Sequence, residues 1–128
     1  MHSQLKSNNK VMNYFFNPKN CGEINQADAI GISSTNDNGI IIKVSIKIIN
    51  EKIEKIKFKT LGCVTSIASA SAMTELVKGK TINEVLTLSK YDISEFLGKI
   101  PEEKIYCCQL AVNALHNAIQ NYLKNEIR

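Results

Sequence analysis

Ile42-Lys43-Val44-Ser45-Ile46-Lys47-Ile48 is the stretch that decides the fold. Its branched apolar residues take every second position with lysine or serine between them, the period of a strand that buries one face and wets the other. Lys55-Ile56-Lys57-Phe58-Lys59 repeats the alternation. Joined across Asn50-Glu51-Lys52, the two runs read as an antiparallel hairpin. The lysines at 43, 47, 55, 57 and 59 then gather on its wet face. A dedicated surface for an anionic partner is the alternative reading of the same charges.

Upstream, Ala27 to Ile32 reads as a short strand, followed by Ser33-Ser34-Thr35-Asn36-Asp37-Asn38-Gly39, a run dense in turn formers. Val11 to Phe16 carries enough apolar surface for a short docking helix, which Asn17-Pro18 ends. Residues 1–10 are polar and read as a disordered segment before a single domain spanning 11–128. They contain no apolar run, so they read as neither a secretory signal nor a membrane span.

Downstream the period changes. From Thr65 to about Lys78, Ser66, Ala68, Ser69, Ala70, Ser71 and Ala72 give a helix with a small-residue surface that lets another backbone come close. Thr81 with Glu84, and Ser89 with Asp92, have the spacing of capping boxes, so two short helices follow. Gly98 and Pro101 break the second. The last element is a long amphipathic helix with Cys107, Ala111, Ala114, Ala118 and Tyr122 in one stripe and Leu110, Leu115, Ile119 and Leu123 beside it. Strands first and helices after give an α+β domain: a small antiparallel sheet of about three strands, helices packed on one face, and a long C-terminal helix.

At 128 residues and 44% hydrophobic content the chain can bury a core without disulfide or metal staples. The net charge is +4, yet Arg128 is the lone arginine among sixteen basic residues. That argues against nucleic acid, because bidentate recognition of bases and phosphates leans on arginine. No Gly-rich phosphate cradle, serine nucleophile elbow, paired catalytic carboxylates or H-E-x-x-H motif is present, so the chain does not read as an enzyme. A cytoplasmic protein with reduced thiols is expected.

Chemistry concentrates in the cysteines. Cys63 and Cys107 each stand at the threshold of a helix, where the positive end of the dipole favours the thiolate that attacks sulfur or binds metal. Cys108 points about 100° around the helix from Cys107; a small buried hydrophobe is its simpler reading, a metal ligand the other. Cys21 reads as loop packing. His116 lies some two and a half turns beyond Cys107 and His2 near the start, so zinc, which wants four N or S ligands, is disfavoured.

Five blocks then carry a resemblance: Asn17-Pro18-Lys19-Asn20-Cys21-Gly22, Phe58-Lys59-Thr60-Leu61-Gly62-Cys63, Ile67-Ala68-Ser69, Thr74-Glu75-Leu76-Val77-Lys78-Gly79-Lys80-Thr81 and Lys104-Ile105-Tyr106-Cys107. In register from about Val11 to Tyr122, they resemble the IscU/NifU-type iron-sulfur cluster assembly scaffolds. The resemblance implies a scaffold or carrier that builds a nascent cluster from iron and desulfurase-delivered sulfur and passes it to acceptor proteins. Cys63 falls on the family's second cysteine and Cys107 on its third.

The rest of the family site is changed. Counting back from Lys43, the first cysteine lands on Asn38 and the aspartate on Ile40, while Tyr106 takes the histidine position. The chaperone-recognition segment, usually Leu-Pro-Pro-Val-Lys, reads Ile100-Pro101-Glu102-Glu103-Lys104, which argues against docking of the dedicated chaperone. The resemblance therefore implies iron or a transient [2Fe-2S] cluster on Cys63 and Cys107, with Cys108 as a weaker candidate. The missing ligands would come from Cys108, from Cys21 or from a second copy in a homodimer. The alternatives are a persulfide acceptor, at Cys107, and a degenerate scaffold that binds and regulates the desulfurase.

Overall fold

The computed structural model describes residues 9–35, 37 and 39–127. Segment 1–10 falls mostly outside them, as do Asn36 and Asn38; Asn9 and Lys10 belong to the first helix, α1 (Asn9–Phe16). Three strands follow, β1 (Ala29–Ser34), β2 (Ile41–Ile49) and β3 (Lys52–Leu61), in one antiparallel sheet of order β1-β2-β3. Then come α2 (Val64–Val77), α3 (Ile82–Leu86), α4 (Lys90–Phe96), a 3-10 turn at Glu102–Lys104 and the long α5 (Ile105–Ile127). The expected α+β architecture stands.

The alternating residues behave as their period dictates. Ile42, Val44, Ile46, Ile56 and Phe58 are buried, and Val44 faces Phe58 while Ile46 faces Ile56 across the hairpin. Asn50 and Glu51 both have positive φ, 54° and 64°. This is the left-handed geometry of a two-residue turn whose twist matches the strands. The expected strand at 27–32 begins two residues later because Asp28 is engaged differently: its carboxylate accepts the Ile48 amide at 2.8 Å.

Helices α5 and α2 cover the inner face. α5 lies so close to β1 that a Cβ on Gly31 would run into the Ala114 carbonyl and the Ala118 backbone. The segment from Gly22 to Asp28 leads from the free edge of β3, where the Gly22 amide donates to Phe58 at 2.7 Å, to the start of β1. On the way Ile24 donates its amide to Ser45 Oγ at 3.0 Å, which leaves Ser45 only 3% exposed on the nominally wet face.

Thr81 and Glu84 form the expected capping box, with reciprocal bonds of 2.9 and 3.1 Å. Ser89 donates its amide to Asp92 at 2.8 Å. Asn20, at φ 59°, ties α1's exit to α2: its amide donates to Thr74 and Glu75 and its carbonyl accepts from Lys78. Among the described residues no helix is long and apolar enough to cross a membrane.

Candidate metal centre

Two chain reversals bring the cysteines together. β3 ends at Leu61, and Gly62-Cys63 turns the chain into α2, with Cys63 as N-cap in extended conformation. Gly62 allows the turn to be tight, since a Cβ there would strike Ser66 Oγ and press on Ile40 at 3.3 Å. Ser66 in turn donates to the Cys63 carbonyl at 2.8 Å. From the far end of the sequence, the turn at Glu102–Lys104 runs directly into α5, which carries Cys107 in its first turn.

The Cys63 and Cys107 sulfurs meet at 3.9 Å. Two thiolates bound at about 2.3 Å to one tetrahedral metal sit about 3.8 Å apart, so the pair has the bite of a single metal. The two thiols are not equivalent. Cys63 is half-buried and opens on a cavity of about 440 Å³ lined by Gly39, Ile40, Leu61, Gly62, Lys104 and Tyr106. Cys107 is enclosed behind it.

Protonation follows the same asymmetry. The hydrogen bond from Cys107, with bonds from Ser66 and the charge of Lys104 in support, outweighs burial and holds the Cys63 thiol down at about 4. Cys107 is pushed the other way, first because it gives that hydrogen bond and then because it is buried. The two thiols therefore titrate as a pair in which Cys63 is the more acidic member. Burial, followed by the negative charge of the cysteine pair beside it, raises the Tyr106 hydroxyl.

The remaining candidates lie elsewhere. Cys108 is buried and directed at Ser69, with Sγ to Oγ 3.4 Å, and burial raises its thiol. Cys21 is exposed, bridged to Phe58 at the edge of β3. His116 is bonded to the Val85 carbonyl at 3.0 Å. Ile40 is almost wholly buried and forms an apolar wall of the cavity where the resemblance places a carboxylate. Asn38 lies outside the described residues. Among the described residues no three of His, Cys, Asp and Glu come together to hold a metal ion.

Sequence reasoning did not find Ser66, Leu61 or Lys104 as parts of this site. Ser66 carried a signal, being four residues after Gly62 at the start of a helix. Leu61, 67% exposed at the cavity rim, carried only its position before Gly62-Cys63.

Residues 6–128 match the family described as NifU-like N terminal domain. The chain is 41% identical over 115 residues to the iron-sulfur cluster assembly scaffold protein IscU 1 of Archaeoglobus fulgidus, covering 90% of this chain and 75% of that one. It is 41% identical over 123 residues to the IscU scaffold protein of Aquifex aeolicus, covering 94% and 78%. Its fold superposes with a TM-score of 0.77, at 22% identity, on a candidate scaffold protein for the SUF system from Fervidobacterium islandicum AW-1, covering 91% of this chain and 98% of that one.

Proposed function

The chain belongs to the NifU-like N-terminal domain family of iron-sulfur cluster assembly scaffolds, and from that premise we propose that Cys63 and Cys107 hold the iron of its cargo. It is a scaffold and not an enzyme. The observation that carries the proposal is the 3.9 Å separation of the two sulfurs, the bite of one iron.

The cargo is a [2Fe-2S] cluster, in which each iron takes two ligands from protein and two from bridging sulfide. One chain serves one iron. The second iron takes the Cys63 and Cys107 of a second copy, because no third ligand stands beside the pair among the described residues. A closed two-fold dimer satisfies both irons at once. Lys104 lies close enough to bias both thiols, and two copies set two such charges against the cluster's negative charge.

A cysteine desulfurase supplies the sulfur, acceptor proteins take the finished cluster, and the cytoplasm, where thiols stay reduced, is the compartment. Ile40 in place of a carboxylate leaves an apolar wall beside the iron and favours a persistent cluster over a labile one.

A second reading, sulfur acceptance, has its own support. Cys63 opens on the cavity and Cys107 does not, so the sulfur is received at Cys63 rather than at Cys107, the position the resemblance suggests.

Anaerobic reconstitution with ferrous iron and sulfide tests the first reading. One iron and one sulfide per chain in a species of dimer mass, lost in Cys63→Ser and in Cys107→Ser, is the expected result. A strictly monomeric chain holding two irons would place the ligands elsewhere, and a chain holding none would leave the sulfur-acceptor reading or the regulatory, desulfurase-binding one.

A further inference from the structure

We propose that the Cys63–Cys107 pair releases sulfide by itself: Cys63 receives a sulfane sulfur as a persulfide, and Cys107 displaces it as hydrogen sulfide by closing a disulfide onto Cys63. The inference rests on the scaffold reading for its sulfur input, and on three observations for its chemistry. The sulfurs are 3.9 Å apart. Cys63 alone of the two lines the cavity. Cys107 is fully enclosed behind it.

A cluster is built from sulfide, whereas a persulfide carries sulfur two electrons more oxidised. Something must supply those electrons. Here the two thiols do. In the first step a donor persulfide, R–S–SH, gives its outer sulfur to the Cys63 thiolate, forming Cys63–S–SH and releasing R–S⁻. In the second, Cys107 gives up its proton to water and its Sγ attacks Cys63 Sγ; the new S–S bond joins the cysteines, the bond to the outer sulfur breaks, and that sulfur leaves as HS⁻ and takes a proton from water to become H2S. The sulfane sulfur is reduced and the two cysteines are oxidised, so the step closes without another reductant. A dithiol reductant resets the pair afterwards.

The placement suits this displacement. Attack at sulfur runs in line with the leaving group, so the outer sulfur must lie on the far side of Cys63 from Cys107, and Cys63, unlike Cys107, lines a cavity with room to hold it. Bringing the sulfurs from 3.9 Å to the roughly 2.05 Å of a disulfide asks for a movement of about 2 Å. Cys63 has freedom for it, since it is an N-cap in extended conformation rather than a residue inside a helix. The enclosure of Cys107 keeps the donor from loading the resolving thiol directly.

The test uses the full chain with Cys21→Ser, which removes the exposed thiol outside the site. One equivalent of inorganic tetrasulfide is added without iron and without oxygen. Intact mass, peptide mapping and dissolved sulfide are followed. The expected result is a chain about 2 Da lighter, a Cys63–Cys107 disulfide, and about one sulfide per chain above the Cys63→Ser control. Cys107→Ala and Cys107→Ser should each hold about 32 Da on Cys63 and release sulfide at least about tenfold more slowly; two variants guard against a folding defect in either. A wild-type pair that keeps the 32 Da, or Cys107 variants that release sulfide as fast as wild type, would overturn the inference. Reconstitution with iron and ready-made sulfide bypasses this step, so its outcome judges the scaffold reading separately.

Discussion

Cys63 Sγ and Cys107 Sγ stand 3.9 Å apart, one at the N-cap of α2 and the other in the first turn of α5. Two helix beginnings therefore converge on one pair of sulfurs, with positive dipole ends aimed at the place where negative charge is held. Packing elsewhere fixes this convergence: Gly62 lets β3 turn directly into α2, and the small residues along α5 seat it against β1.

The polarised pair predicts an unusual alkylation profile. With Cys63 held at about 4, its reaction with iodoacetamide should be nearly flat from pH 5 to 8, while an ordinary free thiol slows about tenfold per unit below its pKa. Removing the hydrogen bond with Cys107→Ala should cut the Cys63 rate at pH 6 by about tenfold or more. Peptide-resolved alkylation rates check both points. A Cys63 rate that rises steeply between pH 6 and 8 in the wild type would show an ordinary thiol.

Stability should follow pH with a definite sign. Between about 4 and the ordinary thiol range, the folded pair binds one proton and the unfolded pair two, so stability rises with pH. Above the ordinary range the unfolded cysteines have lost both protons while Cys107 keeps its own, because its pKa is raised, so stability falls again. The pair thus contributes a maximum near the unfolded thiol pKa. Cys63→Ala/Cys107→Ala should remove that curvature from urea-unfolding free energies measured between pH 6 and 10.

Tyr106 predicts a gain of function. It lines the cavity beside Cys63 and occupies the position where the resemblance places a histidine. Tyr106→His adds a nitrogen donor to two sulfurs, a step from two ligands towards the four of a closed zinc site. Zinc affinity, measured by competition with a chromophoric chelator, should rise at least about tenfold, or about 1.4 kcal/mol. An unchanged affinity would mean that side chains at 106 cannot reach the metal.

Much of this was legible in the sequence, for identifiable reasons. The hairpin was readable because one face of β2 is buried and the other holds lysines, so the period of two survives in the residues. The capping boxes at Thr81 and Ser89 are local and were read from spacing alone. The pairing of Cys63 with Cys107 was not local: 44 residues separate them, and only the family resemblance joined them before the fold did. What could not be read was which thiol faces the cavity, since that depends on α5 covering Cys107. Ser45 misled as well, because the strand period places it in water and the 22–28 segment covers it.

Gly31 leaves no signal in the sequence pattern, and it is a sharp test of the fold. Its missing side chain is what lets β1 meet α5, because an added Cβ would lie 2.8 Å from Ala118 Cα and closer still to the Ala114 carbonyl. Backbone on both sides cannot give way as a flexible side chain does. Gly31→Ala should destabilise the chain by about 3 kcal/mol, the upper range for overpacking. Since α5 carries Cys107, the same variant should also weaken iron retention after reconstitution; a near-wild-type unfolding midpoint would show that β1 and α5 pack less closely than described.

Cys108 separates neighbourhood in sequence from membership of the site. Its sulfur is buried against Ser69 at 3.4 Å, and burial holds it as the neutral thiol, the form that binds metal least well. Were it a ligand, Cys108→Ser would cost iron as surely as Cys63→Ser does. The structure predicts otherwise: Cys108→Ser should keep the iron and sulfide content of the reconstituted chain while losing about 1 kcal/mol of stability, the ordinary effect of placing a more polar atom in a small buried space. Cys108→Ala, which introduces no polar atom, should likewise retain iron. Loss of iron in both variants, with folding intact by circular dichroism, would bring Cys108 into the ligand set and give one chain three sulfurs instead of two.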